Sequence, residues 1–136
     1  MNYEVLEHTA DIGIRAWGSS FAEMIAHASE ALVSIVMEPE DIAPREAYPI
    51  AASGEDRESL LVNWLNEVVY YLDGRMVGLR RFDVKRASET EATGIAWGEL
   101  RTSSHAAKLI VKGVTYHQLR VAEEGGHWCC EVYLDI

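Results

Sequence analysis

Two stretches of the chain carry apolar residues at helical spacing. The first runs from Ser20 to about Met37, and its apolar residues return every three or four positions, which places them on one face of a helix. Ser20 with Glu23 three residues later fits an N-terminal capping box. The second stretch covers about residues 56–73, with Gly74 in the position that commonly ends a helix. The pattern predicts two long amphipathic helices.

Elsewhere apolar and polar residues alternate, which is typical of strands that bury one face. The alternation predicts strands over residues 3–7, 12–17, 79–87, 92–100, 115–123 and 127–134, the last two forming a hairpin. Residues 48–52 fit a short strand or an extended link, and residues 108–113 fit a strand or a buried helical turn. We expect one α+β domain, residues 1–136, with a mixed, mainly antiparallel β-sheet and both helices packed on it as a layered sandwich.

The composition argues against several classes of protein. The 136 residues carry a formal net charge of −10, whereas strong direct binding to nucleic acid needs many Lys and Arg contacts to phosphates. We see neither a signal peptide nor an apolar run of about 18 residues, so we expect no secretion and no membrane span. The two cysteines, Cys129 and Cys130, are adjacent and match no zinc pattern. We therefore expect a cytoplasmic protein whose acidic surface suits a cation or a basic protein.

Three oxygen groups are candidate metal ligands. Asp11 ends the predicted turn into the second strand, and the chain finishes on Asp135 and the main-chain carboxylate of Ile136. If the first turn meets this end, the carboxylates repel by roughly 3 kcal/mol per pair at about 5 Å, and a divalent cation would make the interaction attractive. Oxygen ligands select Ca²⁺, Mg²⁺ or Mn²⁺ over zinc. The alternative is that Asp11 caps a turn through backbone N–H groups while Asp135 is solvated.

His8, His117 and Lys112 are further functional candidates. His8 lies three residues before Asp11 and fits a ligand or a general base. Each histidine alone also fits a structural or surface role, because no HxH, HExxH or HD pair ties two of them together. Lys112 stands among apolar residues, where it can pair with a carboxylate, reach a phosphate or extend to water. The chain has no G-x-S-x-G elbow, P-loop or G-x-G-x-x-G motif.

Four motifs, in order, make the chain resemble the archease family over nearly its whole length. They are His8-Thr9-Ala10-Asp11-Ile12-Gly13, then Leu61-Val62-Asn63-Trp64-Leu65-Asn66-Glu67 followed by Tyr71-Leu72, then Lys112-Gly113-Val114-Thr115-Tyr116-His117, and finally Tyr133-Leu134-Asp135-Ile136. Gly113 departs from the family pattern, in which alanine is usual, and should loosen that strand.

The resemblance implies an accessory role rather than an enzyme. Archeases assist the RtcB-type RNA ligase of tRNA splicing and RNA repair, which guanylylates its own histidine and then joins an RNA 3′-phosphate to a 5′-hydroxyl. An archease promotes that guanylylation, makes the ligase multiple-turnover and relaxes its nucleotide preference. The resemblance also implies that the family's metal site maps onto Asp11, Asp135 and Ile136. Ca²⁺ is the first expectation there, with Mg²⁺ or Mn²⁺ as alternatives, and Lys112 is the next functional candidate.

Two other classes of function compete with this interpretation. A small metal-dependent phosphohydrolase or nuclease would use Asp11 and Asp135 with His8 or His117, and would hydrolyse a phosphodiester alone. Few basic residues and no compact ligand motif count against it. A chaperone-like or scaffolding module would carry the acidic cluster incidentally, so that replacing Asp11 would leave its activity intact. The sequence leaves the oligomeric state open.

Overall fold

The computed structural model describes residues 2–7, 11–102 and 105–136. Its helices and strands are β1 (Tyr3–Glu7), β2 (Asp11–Gly18), α1 (Phe21–Val36), β3 (Glu46–Ser53), α2 (Arg57–Val69), β4 (Val77–Ala87), β5 (Glu91–Leu100), β6 (Gly113–Glu124) and β7 (His127–Asp135). A 3₁₀ turn (Pro39–Asp41) follows α1 and a π-helical turn (Tyr70–Gly74) follows α2. Within the described ranges, no helix has both the length and the apolar character needed to cross a bilayer.

The described strands form two sheets in which every pair is antiparallel. The terminal sheet has the order β1-β2-β7-β6, and the middle sheet has the order β3-β5-β4. Helix α1 packs against β2 of one sheet and β4 of the other, and α2 packs against β3 and β6. The predicted α+β class is confirmed. Two antiparallel sheets replace the single mixed sheet we expected, because a period of two identifies strands but not their partners.

Side-chain caps fix the start of both helices. The Ser20 hydroxyl accepts a hydrogen bond from the N–H of Glu23 at 3.1 Å, as the sequence predicts. The Glu23 carboxylate does not bond to the N–H of Ser20, as a capping box requires. It accepts instead from Ser19, from its N–H at 3.1 Å and from its hydroxyl at 3.0 Å. At α2, Asp56 accepts from the N–H of Ser59 at 2.8 Å. The backbone hydrogen bonds are the main reason that the pKa of both carboxyl groups is lowered.

The end of α2 differs from the expected glycine stop. The helix widens into the π-helical turn, which the N–H of Arg75 closes on the carbonyl of Tyr70 at 2.9 Å. The left-handed residue is Met76, with φ 54°, rather than Gly74. Met76 is left half-exposed beside the end of the helix.

Trp64 links the two helices in the core. Its side chain is 1% exposed, and its Nε1 donates to the Ser29 hydroxyl at 3.0 Å. Ser29 in turn donates to the carbonyl of Ile25 in α1 at 2.8 Å. The sequence pattern puts Ser29 mostly outside the apolar stripe, yet it is fully buried, and its hydroxyl is the acceptor that the buried Trp64 indole requires.

The inner face of β5 is built from small residues. Its buried positions are Ala92, Gly94, Ala96 and Gly98. Strand β4 bulges twice opposite the two glycines, between Leu79 and Arg81 and between Val84 and Arg86. A Cβ atom on Gly98 would lie 1.8 Å from the carbonyl oxygen of Gly78. The glycines therefore allow the bulged strand to approach β5 closely.

Residues 105–112 form an irregular segment, rather than the strand or helical turn that the sequence suggested for residues 108–113. His105 is buried at its start, with Nε2 3.1 Å from a carboxylate oxygen of Glu99. Farther along, the N–H of Lys108 donates to the carbonyl of Val36, the last residue of α1, at 2.7 Å. The segment is thus attached to both β5 and α1.

Candidate functional site

The strand register brings the candidate aspartates together. Asp11 of β2 lies directly opposite Asp135 of β7, and Asp135 lies opposite Gly113 of β6 on its other side. The N–H of Lys112 donates to the carbonyl of Asp135 at 2.7 Å. Asp11, Lys112, Asp135 and Ile136 therefore share one end of the terminal sheet. The structure therefore shows the meeting of Asp11 with the last residues of the sequence, on which the predicted oxygen cluster depends.

The side chains of Asp11 and Asp135 lie on the same face of the sheet. Opposite residues of an antiparallel pair point the same way, and the neighbouring Leu134 points to the helices and is fully buried. Cβ atoms of such pairs are about 4.5–5.5 Å apart, and like charges directly opposite each other are destabilising. Asp11 is half-buried and Asp135 is exposed. The outer face thus ends in a repulsive carboxylate pair.

Another row of the same face shows how carboxylates are neutralised elsewhere. Arg15 of β2 donates to Glu131 of β7 at 2.6 Å and also to Glu4 of β1. The hydrogen bond to Glu131 is the largest cause of the raised pKa of Arg15. Among the described residues, neither Asp11 nor Asp135 has an ion pair of this kind. Of these two rows, the Asp11–Asp135 pair at the sheet end is therefore the one that a bound cation would stabilise more.

An aromatic ring lies between these two rows. Tyr133 of β7 is opposite Gly13 of β2, and a Cβ atom on Gly13 would lie 2.7 Å from Cε1 of Tyr133. Gly13 is required because the ring lies over β2 at this point. His117 packs edge-on against Tyr133, with ring centroids 5.9 Å apart. It lies in a bulge of β6 where Gln118 has φ 51°. His117 is thus engaged with Tyr133, one row away from the carboxylates.

The donor set suits a hard divalent cation. Asp11 and Asp135 offer carboxylate oxygens, and the Ile136 carboxylate, on a residue 37% exposed, is the third expected ligand. Across residues 2–7, 11–102 and 105–136, no three His, Cys, Asp or Glu side chains gather as a metal site. From the residues that the structure describes, a cation held here would therefore depend on two side chains and a main-chain carboxylate. Oxygen-only donors at an open sheet end favour Ca²⁺, Mg²⁺ or Mn²⁺.

The other two candidates differ in position. His8 lies outside the described residues. Lys112 is exposed beside the aspartates, and its ammonium group makes no ion pair with any residue the structure describes. Lys112 is therefore available to an anionic group brought by a partner.

Asn66 supports the site in a way that the helical pattern does not reveal. Its Oδ1 accepts a hydrogen bond from the N–H of Val114 at 3.0 Å, which joins α2 to β6 one residue after Gly113. Asn66 belongs to the second motif that resembles the archease family, but the helical pattern by itself shows only a polar residue, which helices commonly carry on solvated faces. The hydrogen bond holds the start of β6, and with it Lys112, against the rest of the fold.

Replacing Gly113 with alanine should stabilise the protein. A Cβ atom there would have Oδ1 of Asn66 as its nearest neighbour at 3.5 Å, an ordinary contact, and Gly113 has no left-handed φ. We expect the free energy of unfolding to rise by about 0.4–1 kcal/mol, because alanine reduces the freedom of the unfolded chain. Urea denaturation of the two proteins measures the difference. A loss of stability would show that the start of β6 has no room for the methyl group.

Comparison with known proteins places the chain in a family. The family model described as Archease protein family (MTH1598/TM1083) matches residues 3–136. The protein archease of Sulfurisphaera tokodaii is 31% identical over 98% of each chain. That of Methanopyrus kandleri is 32% identical over 100% of each.

Two solved structures share the architecture. The solution structure of Methanobacterium thermoautotrophicum protein 1598 has a TM-score of 0.86 and 29% identity, covering 99% of each chain. A Thermotoga maritima archease, described as a possible chaperone, has a TM-score of 0.66 and 22% identity over 98% of this chain and 96% of its own. At that identity the second likeness shows the fold alone. Because the family model and the relatives cover nearly the whole chain, the protein belongs to the archease family.

Proposed function

We propose that this protein activates an RtcB-type RNA ligase, promoting its guanylylation and its multiple turnover in tRNA splicing and RNA repair. The observation that carries the proposal is the pairing of Asp11 with Asp135 across β2 and β7, beside Lys112 and Ile136. These four residues come from three of the four motifs that resemble the archease family. In this role the protein is an accessory factor and not a catalyst.

Asp11, Asp135 and the Ile136 carboxylate would hold the divalent cation, with Ca²⁺ expected before Mg²⁺ or Mn²⁺. A bound cation would supply positive charge that neutralises the opposed carboxylates and would offer that charge to anionic oxygen atoms of a partner or nucleotide. The chain's own contribution is positional. The β2–β7 ladder sets the spacing of the two aspartates, and the hydrogen bond from Lys112 fixes the carbonyl of Asp135.

Activation of the ligase would follow from binding one of its conformations preferentially. The net charge of −10 speeds the approach to a cationic, metal-containing active-site mouth. The acidic end then favours the ligase conformation that accepts GTP and metal. Such a shift requires the archease to bind the competent ligase state more tightly than the other state. The association rate should therefore fall as the salt concentration rises.

The direct test measures ligase guanylylation under multiple-turnover conditions, with catalytic amounts of this protein and with its Asp11→Asn variant. We expect wild type to accelerate labelling and Asp11→Asn to lose at least about 10-fold of the acceleration, because a metal ligand is removed. The matched control is Asp41→Asn, since Asp41 is an exposed carboxylate in the 3₁₀ turn and should leave activation unchanged.

Thermal unfolding with added Ca²⁺ gives a second readout for the same variants. A ligand that binds only the folded state stabilises it by about 2.7 kcal/mol at 100 times its dissociation constant, so wild type and Asp41→Asn should melt at higher temperature with Ca²⁺. Asp11→Asn should not respond. Without the cation, Asp11→Asn should be slightly more stable than wild type, because the opposed charges no longer repel.

Three results would contradict the proposal. No acceleration of the ligase by wild type would remove the activator role. Hydrolysis of a phosphodiester by this protein alone with added metal would instead favour the phosphohydrolase. If the Asp11→Asn variant accelerates the ligase as well as wild type does, the carboxylates are incidental. That result would favour the chaperone-like role.

A further inference from the structure

Exposed apolar side chains gather next to the candidate site. Nine large hydrophobic residues are exposed among the residues that the structure describes. Four of them lie on or beside the 105–112 segment: Met76, Leu109, Ile110 and Ile136. Ile110 is 63% exposed and Leu109 is 40% exposed. A concentration of this kind on one end of an acidic protein is typical of an interaction surface.

A pocket opens on one side of this segment. Its volume is about 190 Å³, and its walls come from the ends of α1 and α2, from Met76 and from the 105–112 segment. The wall is mainly apolar, with Val36, Val69, Leu72 and Leu109. Arg101 adds one charged group and donates to the carbonyl of Leu72 at 3.0 Å. Pockets for cofactors and other small molecules are usually about 300–1,000 Å³, so this pocket suits a single inserted side chain better.

On its other side, the same segment borders the carboxylate end. A shallow groove there is lined by Leu109, Ile110, Lys112 and Ile136. Leu109 and Ile110 line both the pocket and the groove, so they form a ridge between them. The groove also contains Lys112, whose N–H donates to the carbonyl of Asp135, so the ridge and the carboxylate pair lie at the same end of the protein.

The net charge of the chain indicates which kind of partner would bind to the ridge and the pocket. Two copies of this protein would each bring a net charge of −10, so their association through this end would be opposed by repulsion. Lys108, which comes just before the ridge, forms an ion pair with Glu38 at 2.8 Å. The remaining charges at this end include Asp11, Asp135 and Asp73, with Lys112 and Arg101 opposing them. A partner with a cationic surface and one protruding apolar residue is complementary to this end.

We propose that the ridge of Leu109 and Ile110 and its adjoining pocket form the docking surface for the ligase, which inserts one apolar side chain into the pocket. The inference rests on the proposed function, because it takes the ligase as the partner. Apolar anchors that fill pockets at the centre of an interface contribute most of its affinity. The ridge holds the ligase in place, while the carboxylate end a few residues away acts on it.

The test compares Ile110→Ser with wild type in calorimetric titration of the ligase and in guanylylation over a range of archease concentrations. We expect the dissociation constant to rise at least about 10-fold, with the guanylylation rate at saturation unchanged. Ala107→Trp, which fills the pocket from its own wall, should weaken binding similarly. The matched control is Val5→Ser, because Val5 is 43% exposed on β1, and it should bind as wild type does.

The outcomes separate this inference from the proposed function. If wild type neither binds nor activates the ligase, the proposed function fails. If wild type binds and activates while Ile110→Ser and Ala107→Trp bind equally well, only the docking surface is wrong. Sedimentation of the isolated protein distinguishes the other occupant, since a wild-type dimer that Ile110→Ser dissociates would assign the ridge to a second copy of this chain.

Discussion

Replacing Trp64 with alanine should remove roughly 3–5 kcal/mol of the free energy of unfolding. Trp64 is almost completely buried, and it joins the two helices through its hydrogen bond to Ser29. Alanine would leave a cavity and deprive the buried Ser29 hydroxyl of its donor. A domain of this size has about 5–15 kcal/mol of stability, so the variant should be close to unfolding at its working temperature. Urea denaturation followed by circular dichroism measures the loss.

Trp64→Phe is the matched control for the Trp64→Ala variant. It keeps most of the ring volume but removes the Nε1 donor, so we expect a smaller loss of roughly 1–2 kcal/mol. The two variants should have similar denaturant slopes if both unfold from the same native fold. Equal losses for alanine and phenylalanine would mean that the hydrogen bond to Ser29, and not the filled volume, accounts for the role of Trp64.

Replacing Gly98 with alanine should cost at least about 3 kcal/mol, the upper end of the usual range for over-packing. The added Cβ atom would meet the main chain of β4 at Gly78, and main chain cannot rotate away as a side chain can. Strand β4 would have to move off β5 and give up ladder hydrogen bonds. Thermal unfolding of Gly98→Ala against wild type measures the effect.

Gly113→Ala serves as the matched control for Gly98→Ala. Both variants make the same substitution in a strand, but Gly113 has room for a methyl group and Gly98 does not. The expected changes have opposite signs, so a general effect of alanine on strand stability cannot explain both. A Gly98→Ala protein as stable as wild type would show that the β4 bulge relaxes without loss of pairing.

The helices could be predicted from the sequence because their signals are local. The apolar spacing, the Ser20 cap and the end of α1 near Met37 all involve residues within a turn of each other, and the structure has them as predicted. Strands could be located for the same reason. Their partners could not, since pairing β3 with β5 and β2 with β7 depends on contacts far apart in the chain. This is why one expected sheet became two.

The candidate site, like the fold, could be predicted from the sequence only in part. The charge and position of Asp11 and Asp135 indicated an oxygen cluster, provided that the two strand ends meet. That they do meet is known only from the pairing of β2 with β7. The role of Asn66 in holding β6 and the engagement of His117 with Tyr133 are long-range contacts with no local pattern. The exposed ridge was also hidden, because Leu109-Ile110-Val111 resembles a buried run whether it forms a strand or a helix.

The irregular form of the 105–112 segment has a consequence for its motions. Its main chain is held at His105, Lys108 and Lys112, while the amides of Leu109, Ile110 and Val111 donate no hydrogen bond to any described residue. Local opening of such a segment needs far less free energy than global unfolding, so we expect it to open while α1, α2 and both sheets stay folded. A surface of this kind can adjust its outline to partners of slightly different shape. Ordering it on contact would reduce affinity and quicken release, which would suit the proposed role, in which the protein leaves one ligase molecule to serve the next.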